Sequence, residues 1–154
     1  PFRDPKHEAV LGIVRTANLL SARAAYLFRK FDLTEAQFNV LFALKFADSE
    51  LTQAELGKRL VVTRASITSV LDKLESKSLV ARKKVAGNRR IHHVLLTKAG
   101  LDLLDRVEPS YRDEIHRILA GLNEKDCAAL TAYLDGLRKP LLDNSEKRGQ
   151  KRED

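Results

Sequence analysis

Methionine and tryptophan are absent from the 154 residues, and cysteine occurs once. No apolar run approaches the roughly 18 residues that a membrane span needs. The lone Cys127 excludes an intramolecular disulfide framework and a cysteine-rich zinc site. The opening stretch PFRDPKHEAV carries acids and prolines where a signal peptide needs an apolar segment, so the chain reads as soluble and cytoplasmic. With no initiator methionine, the natural start is expected to have been trimmed or to lie upstream of Pro1. No glycine-rich phosphate loop, nucleophile elbow, HExxH motif or buried-looking carboxylate pair is found, so neither an enzyme nor a cofactor is expected. His92 and His93 are neighbours in a strand and point to opposite faces, and His7 and His116 stand alone, so no metal is expected either.

What is present is 44% hydrophobic and 32% charged, enough apolar mass for one compact domain, with or without a dimerisation appendage. The charge is unevenly placed. Lys58 to Lys98 holds eleven basic residues and two acids, a local balance of +9, whereas the whole chain carries +7 and the remainder is therefore slightly acidic. One basic block in an otherwise slightly acidic chain is the footprint of a polyanion-binding surface.

Asp4 followed by Pro5 sets an N-cap and a first-turn proline. Val10, Val14, Ala17, Leu20, Ala24, Leu27 and Phe31 then recur at helical steps, which predicts one helix from Pro5 to about Lys30. It is longer than a small core requires, which suggests a partner chain. Thr34 and Gln37 form a capping box ahead of Phe38, Leu41, Phe42 and Phe46, a second helix ending at Asp48 and Ser49. Thr52 and Glu55 repeat the box for a short third helix, and Thr63 caps a fourth whose buried stripe is Ile67, Val70, Leu71 and Leu74. Two helices joined by so short a break have the dimensions of a helix-turn-helix.

The outer face of the fourth helix presents Arg64, Ala65, Ser66, Thr68, Ser69 and Lys73. Small polar residues there let a helix backbone approach base edges in a major groove. Leu79 to Val85 and Ile91 to Leu96 read as two strands joined by a turn over 86–89, a hairpin with a basic tip. Its arginines are placed to reach phosphates or a narrow minor groove. Thr97 caps a fifth helix kinked at Pro109 and closed by Gly121, and Asn123 caps a sixth, ended by Pro140. Cys127, Leu130, Leu134, Leu137 and Leu141 share one apolar stripe of that last helix, so Cys127 is either a small buried hydrophobe or, alternatively, a redox group.

The stretch LTQAELGKRLVVTRASITSVLDKLESKSLVARKKVAGNRRIHHVLLTKAG, with Arg89-Arg90 followed by Leu96-Thr97 and Gly100, resembles the MarR family of winged-helix regulators. The resemblance extends to the long first helix and the last two helices. Relatives commonly carry acids before the arginine pair where this chain has Gly87 and Asn88, which puts an internal acid–arginine pair in question and predicts a more basic wing.

The expected architecture is mainly α with a small β-hairpin wing, a winged helix-turn-helix flanked by dimerisation helices. Residues 1–33 form the N-terminal dimerisation helix, 34–97 the DNA-binding domain, 98–142 the C-terminal dimerisation helices and 143–154 a flexible tail. The expected contacts with double-stranded DNA are Thr63, Arg64, Ala65, Ser66, Thr68, Ser69 and Lys73 on the reading helix, and Arg82, Lys84, Arg89 and Arg90 on the wing. The apolar stripes place Val10, Val14, Ile115, Leu130, Leu134 and Leu137 at a homodimer seam.

The resemblance further implies a pocket for a small aromatic or lipophilic effector, with Arg15, Asn18, Phe38 and Phe42 as candidates for lining it. For Phe38 and Phe42 the competing role is core packing, and for Arg15 and Asn18 a place on the surface or the seam. Two functions fit the residues: a sequence-specific repressor released by its ligand, or a ligand-free architectural module binding nucleic acid.

Overall fold

The computed structural model describes residues 4–60, 62–85 and 88–150; the side chains of Arg64, Val85, 88–90 and 143–150 are outside that description. Helix α1 (Pro5–Arg29) starts where Asp4 accepts a 3.0 Å hydrogen bond from the Lys6 N–H. It ends in a Schellman closure, with the Leu33 N–H donating to Phe28 O at 3.1 Å and the Asp32 N–H to Arg29 O at 3.2 Å. Asp32 occupies the left-handed position (φ 54°) usually given to glycine. Helix α2 (Glu35–Lys45) carries the expected capping box: the Gln37 N–H donates to Thr34 Oγ1 at 3.2 Å and the Thr34 N–H to Gln37 Oε1 at 2.9 Å. It stops at Lys45, one turn before Asp48 and Ser49, because its last apolar residue, Phe46, leaves the helical conformation.

Leu51–Thr52 form a two-residue strand, β1, which the sequence reading did not anticipate because Thr52 was already assigned as a helix cap. It serves both roles. Helices α3 (Gln53–Arg59) and α4 (Arg64–Ser76) follow, capped by Thr52 and Thr63. Strands β2 (Val80–Val85) and β3 (Asn88–Leu96) complete an antiparallel sheet of order β1-β3-β2. The register pairs Val80 with Leu96 and Arg82 with Val94, while Leu51 sits opposite Val94 on the other edge. The ladder takes in Asn88 and Arg89, which the sequence placed in the turn; the remaining turn residues, Ala86 and Gly87, are outside the described residues.

Helix α5 (Lys98–Ile118) runs on through Pro109, and α6 (Glu124–Gln150) through Pro140. The expectation that Pro140 ends the last helix is therefore corrected, and the helix takes up the tail as far as Gln150. A proline removes one rung, but helical bonds on either side of it can carry the element on. Likewise α5 closes at Ile118, before Gly121.

The chain divides into two units, residues 1–112 and 113–154. In the first, Leu27 and Phe28 of α1, Phe38 and Leu41 of α2, Leu56 of α3, Ile67, Leu71 and Leu74 of α4, Val80 and Val94 of the sheet, and Leu103, Leu104 and Val107 of α5 form one buried core. Only the end of α1 joins it. Val10 and Val14 are about half exposed within the single chain (55% and 51%), as are Leu19 and Leu20 (69% and 43%).

A close approach seals the junction of sheet and helix. A Cβ on Gly100 would lie 2.2 Å from Leu79 O and 2.8 Å from Leu96 Cδ1, so only glycine lets α5 begin there.

The second unit is the end of α5 with α6. Asn123 Oδ1 accepts from the N–H groups of Lys125 and Asp126 at 2.9 and 3.1 Å, and Asp126 Oδ2 accepts from the Asn123 N–H at 3.1 Å, a reciprocal cap. Leu130, Tyr133, Leu137, Leu141 and Leu142 are exposed, while Ile115, Cys127 and Leu134 are half-buried. Among the described residues no helix is long and apolar enough to cross a membrane.

Candidate nucleic-acid interface

The outer face of α4 begins at its cap. Thr63 Oγ1 accepts from the Ser66 N–H at 3.2 Å and lies 2.9 Å from Ser66 Oγ, which fixes the first turn with short side chains only. Ile67, Leu71 and Leu74 are buried on the inner side, and Ala65, Ser66, Ser69 and Lys73 are exposed on the outer. Ala65, Thr68, Ser69, Asp72 and Lys73 together line an open trough along the helix.

Thr68 is only half exposed. Its Oγ1 accepts a 2.5 Å hydrogen bond from Gln53 Nε2, so it holds α3 against α4. The backbone of Arg64 opens α4, but its side chain, like those of Arg89 and Arg90, lies outside the described residues.

Two basic residues of the block turn inward, onto acids. Arg82, expected as a DNA contact, donates from Nη2 to Asp72 Oδ1 and from Nη1 to Glu75 Oε2, both at 2.6 Å. Lys77 donates to Asp32, in the turn after α1. On the opposite side of the hairpin, Glu50 Oε2 lies 2.7 Å from His93 Nδ1 and Glu50 Oε1 lies 3.7 Å from Lys83 Nζ. Lys84 is exposed. Sequence reasoning missed the roles of Asp72, Glu75 and Gln53. Their partners sit on other elements, at spacings that no helical or strand period marks.

Of the effector candidates, Phe38 and Phe42 meet in one aromatic cluster, and Arg15 and Asn18 lie on α1. Phe38 is 1% exposed and belongs to the core, its ring stacked on Phe28 at 4.1 Å and 4.7 Å from Tyr111. Phe42 is half-buried in the same aromatic cluster, 5.3 Å from Phe38. Burial, with the Glu35 charge second, pushes the Tyr111 phenol above its ordinary 10. Arg15 and Asn18 are exposed on α1. Among the described residues, no group of three or more His, Cys, Asp or Glu converges as a metal site.

The model of the MarR family matches residues 31–91, from the start of the α1–α2 turn into the wing. The transcriptional regulator MhqR of Bacillus subtilis (strain 168) is 31% identical over 105 residues, covering 68% of this chain and 72% of MhqR. The chain belongs to the MarR family. A second relative by sequence, the HTH-type transcriptional regulator PecS of Dickeya dadantii (strain 3937), is 28% identical over 147 residues, or 94% of this chain and 89% of PecS.

Solved structures agree at the level of the fold. The MarR regulator AbsC of Streptomyces coelicolor superposes with a TM-score of 0.82 at 20% identity, covering 92% of this chain and 97% of AbsC. MepR of S. aureus, solved as a DNA complex, gives 0.77 at 22% identity over 85% of this chain and 96% of MepR. The MarR winged helix thus accounts for α2 to β3, with the small-residue helix α4 as its second helix and the β2–β3 hairpin as its wing.

Proposed function

We propose that this MarR-family chain is a cytoplasmic, sequence-specific repressor that binds double-stranded DNA as a homodimer. The observation that carries the reading is the outer face of α4, where Ala65, Ser66 and Ser69 are exposed beside a strongly basic hairpin. Small side chains admit the helix backbone to a major groove, and the hairpin cations supply sequence-independent attraction to phosphates. A structural neighbour solved as a DNA complex, MepR, supports duplex DNA as the partner. The exposed apolar residues of α1 and α6 support the dimer, whose two lobes would meet successive grooves of a pseudo-palindrome.

Release by a small aromatic or lipophilic anion belongs to this reading through the family resemblance. Such an effector acts by binding the DNA-incompetent dimer more tightly, and bound DNA must weaken it by the same factor.

The test is selection of duplexes from a random pool, followed by affinity for the selected and a scrambled duplex at one salt concentration. A repressor prefers its site by roughly 10³ or more, whereas an architectural module shows little gap. Arg64→Ala should lower the preference, and Arg90→Ala should weaken both duplexes alike. Equal losses on both duplexes for Arg64→Ala would overturn this division of roles.

A further inference from the structure

Arg82 stands at the root of the wing, on β2, opposite Val94. Its guanidinium forks between two carboxylates one helical turn apart on α4, with 2.6 Å to Asp72 and 2.6 Å to Glu75. The Arg82 side chain is 21% exposed, against 58% and 41% for its two acids, so the cation is the sheltered member.

Asp72 also lines the trough on the reading face of α4. Turning Arg82 outward to a phosphate would leave two carboxylates uncompensated beside the DNA, three positions apart on one helix, where like charges repel. Lys84, one pleat period nearer the tip on the same side of the strand, is exposed.

We propose that Arg82 is a positioning residue, fastening the wing to Asp72 and Glu75 of the reading helix so that both elements meet a duplex at one fixed angle. It is not itself a phosphate contact. The proposal rests on the DNA-binding reading for its purpose, but the clamp itself is a property of the free protein. The planar guanidinium of Arg82 offers a separate N–H donor to each of the two carboxylates, a fork that an ammonium does not present.

Two measurements test it. In the free protein, Arg82→Ala and the Asp72→Asn/Glu75→Gln pair should each raise amide exchange in β2 and β3 by about the same factor, and the triple variant no further, since all three remove one interaction. Unchanged exchange in Arg82→Ala, or additive effects in the triple variant, would overturn the clamp.

On the selected duplex, Arg82→Ala should cost about tenfold in affinity with an unchanged slope of log K against log salt, whereas loss of a phosphate contact flattens that slope by about one unit. A flattened slope would return Arg82 to the phosphate-binding set. If the wild type binds no duplex, the functional reading fails while the exchange measurement still decides the clamp.

Discussion

Lys77 joins two helix ends: its Nζ donates 2.7 Å hydrogen bonds to both the main-chain carbonyl and the Oδ2 carboxylate oxygen of Asp32. Both ends are Schellman closures with a non-glycine residue in the left-handed position, Asp32 at φ 54° after α1 and Ser78 at φ 58° after α4. In the second, the Leu79 N–H donates to Leu74 O at 3.0 Å and the Ser78 N–H to Glu75 O at 2.8 Å. The contact therefore links the end of the long first helix to the end of α4 within the first unit.

Ser78→Gly should stabilise the chain by up to about 1 kcal/mol in urea unfolding, because glycine adopts the left-handed conformation without a Cβ penalty. Asp32→Gly should gain less, since it gives up the carboxylate acceptor of Lys77. Lys77→Ala should cost less than about 1 kcal/mol, as its partner is exposed and water screens the pair. A Ser78→Gly variant less stable than wild type would show that the Ser78 side chain has a role beyond its backbone.

Two helical glycines should respond oppositely to alanine. At Gly57 a Cβ meets only Ile67 Cγ2 and Val62 O, both at 3.6 Å, so Gly57→Ala should gain about 0.5 to 1 kcal/mol through helix propensity. At Gly100 the same group would overlap Leu79 O, and Gly100→Ala should lose more than Gly57→Ala gains. Thermal unfolding of the two variants side by side checks the signs.

The Glu55 carboxylate accepts from the Thr52 N–H at 2.7 Å and from the Thr52 hydroxyl at 2.7 Å. These bonds, the main-chain one foremost, hold its pKa below the ordinary 4.5. A depressed folded-state pKa adds stability that is present above 4.5 and is lost as the pH falls through the folded value. Glu55→Gln should keep the cap and lack this acid dependence. Urea midpoints of wild type and variant should differ in pH dependence only below that range, and parallel profiles would remove Glu55 from the acid response.

For the dimer, the doubly substituted Leu134→Asp/Leu137→Asp chain should sediment near the 17.3 kDa of one chain, and the wild type at twice that mass. Unpaired carboxylates in an apolar seam are strongly destabilising. A wild type that sediments as a folded monomer at micromolar concentration would sink the dimer.

The sequence by itself determined the elements whose causes are local. Asp4, Thr34, Thr52, Thr63, Thr97 and Asn123 each open a helix because a short polar side chain reaches an N–H two or three residues on, and that geometry needs no tertiary partner. The apolar stripe of α4 and the alternation of the hairpin are legible for the same reason, and they suffice to tell the buried side of α4 from its outer face.

Tertiary structure decided what those faces do with their charges. Strand β1 exists only because β3 lies beside it, and the closures at Asp32 and Ser78 lack the glycine that would have marked them. Arg82 and Lys77 resemble free cations in a basic run, yet Arg82 is held by two acids of α4 and Lys77 by an acid in the turn after α1. A charge pattern along the chain counts residues, whereas the field a ligand meets depends on which opposite charges the fold brings within hydrogen-bonding distance, and that is a property of three-dimensional proximity alone.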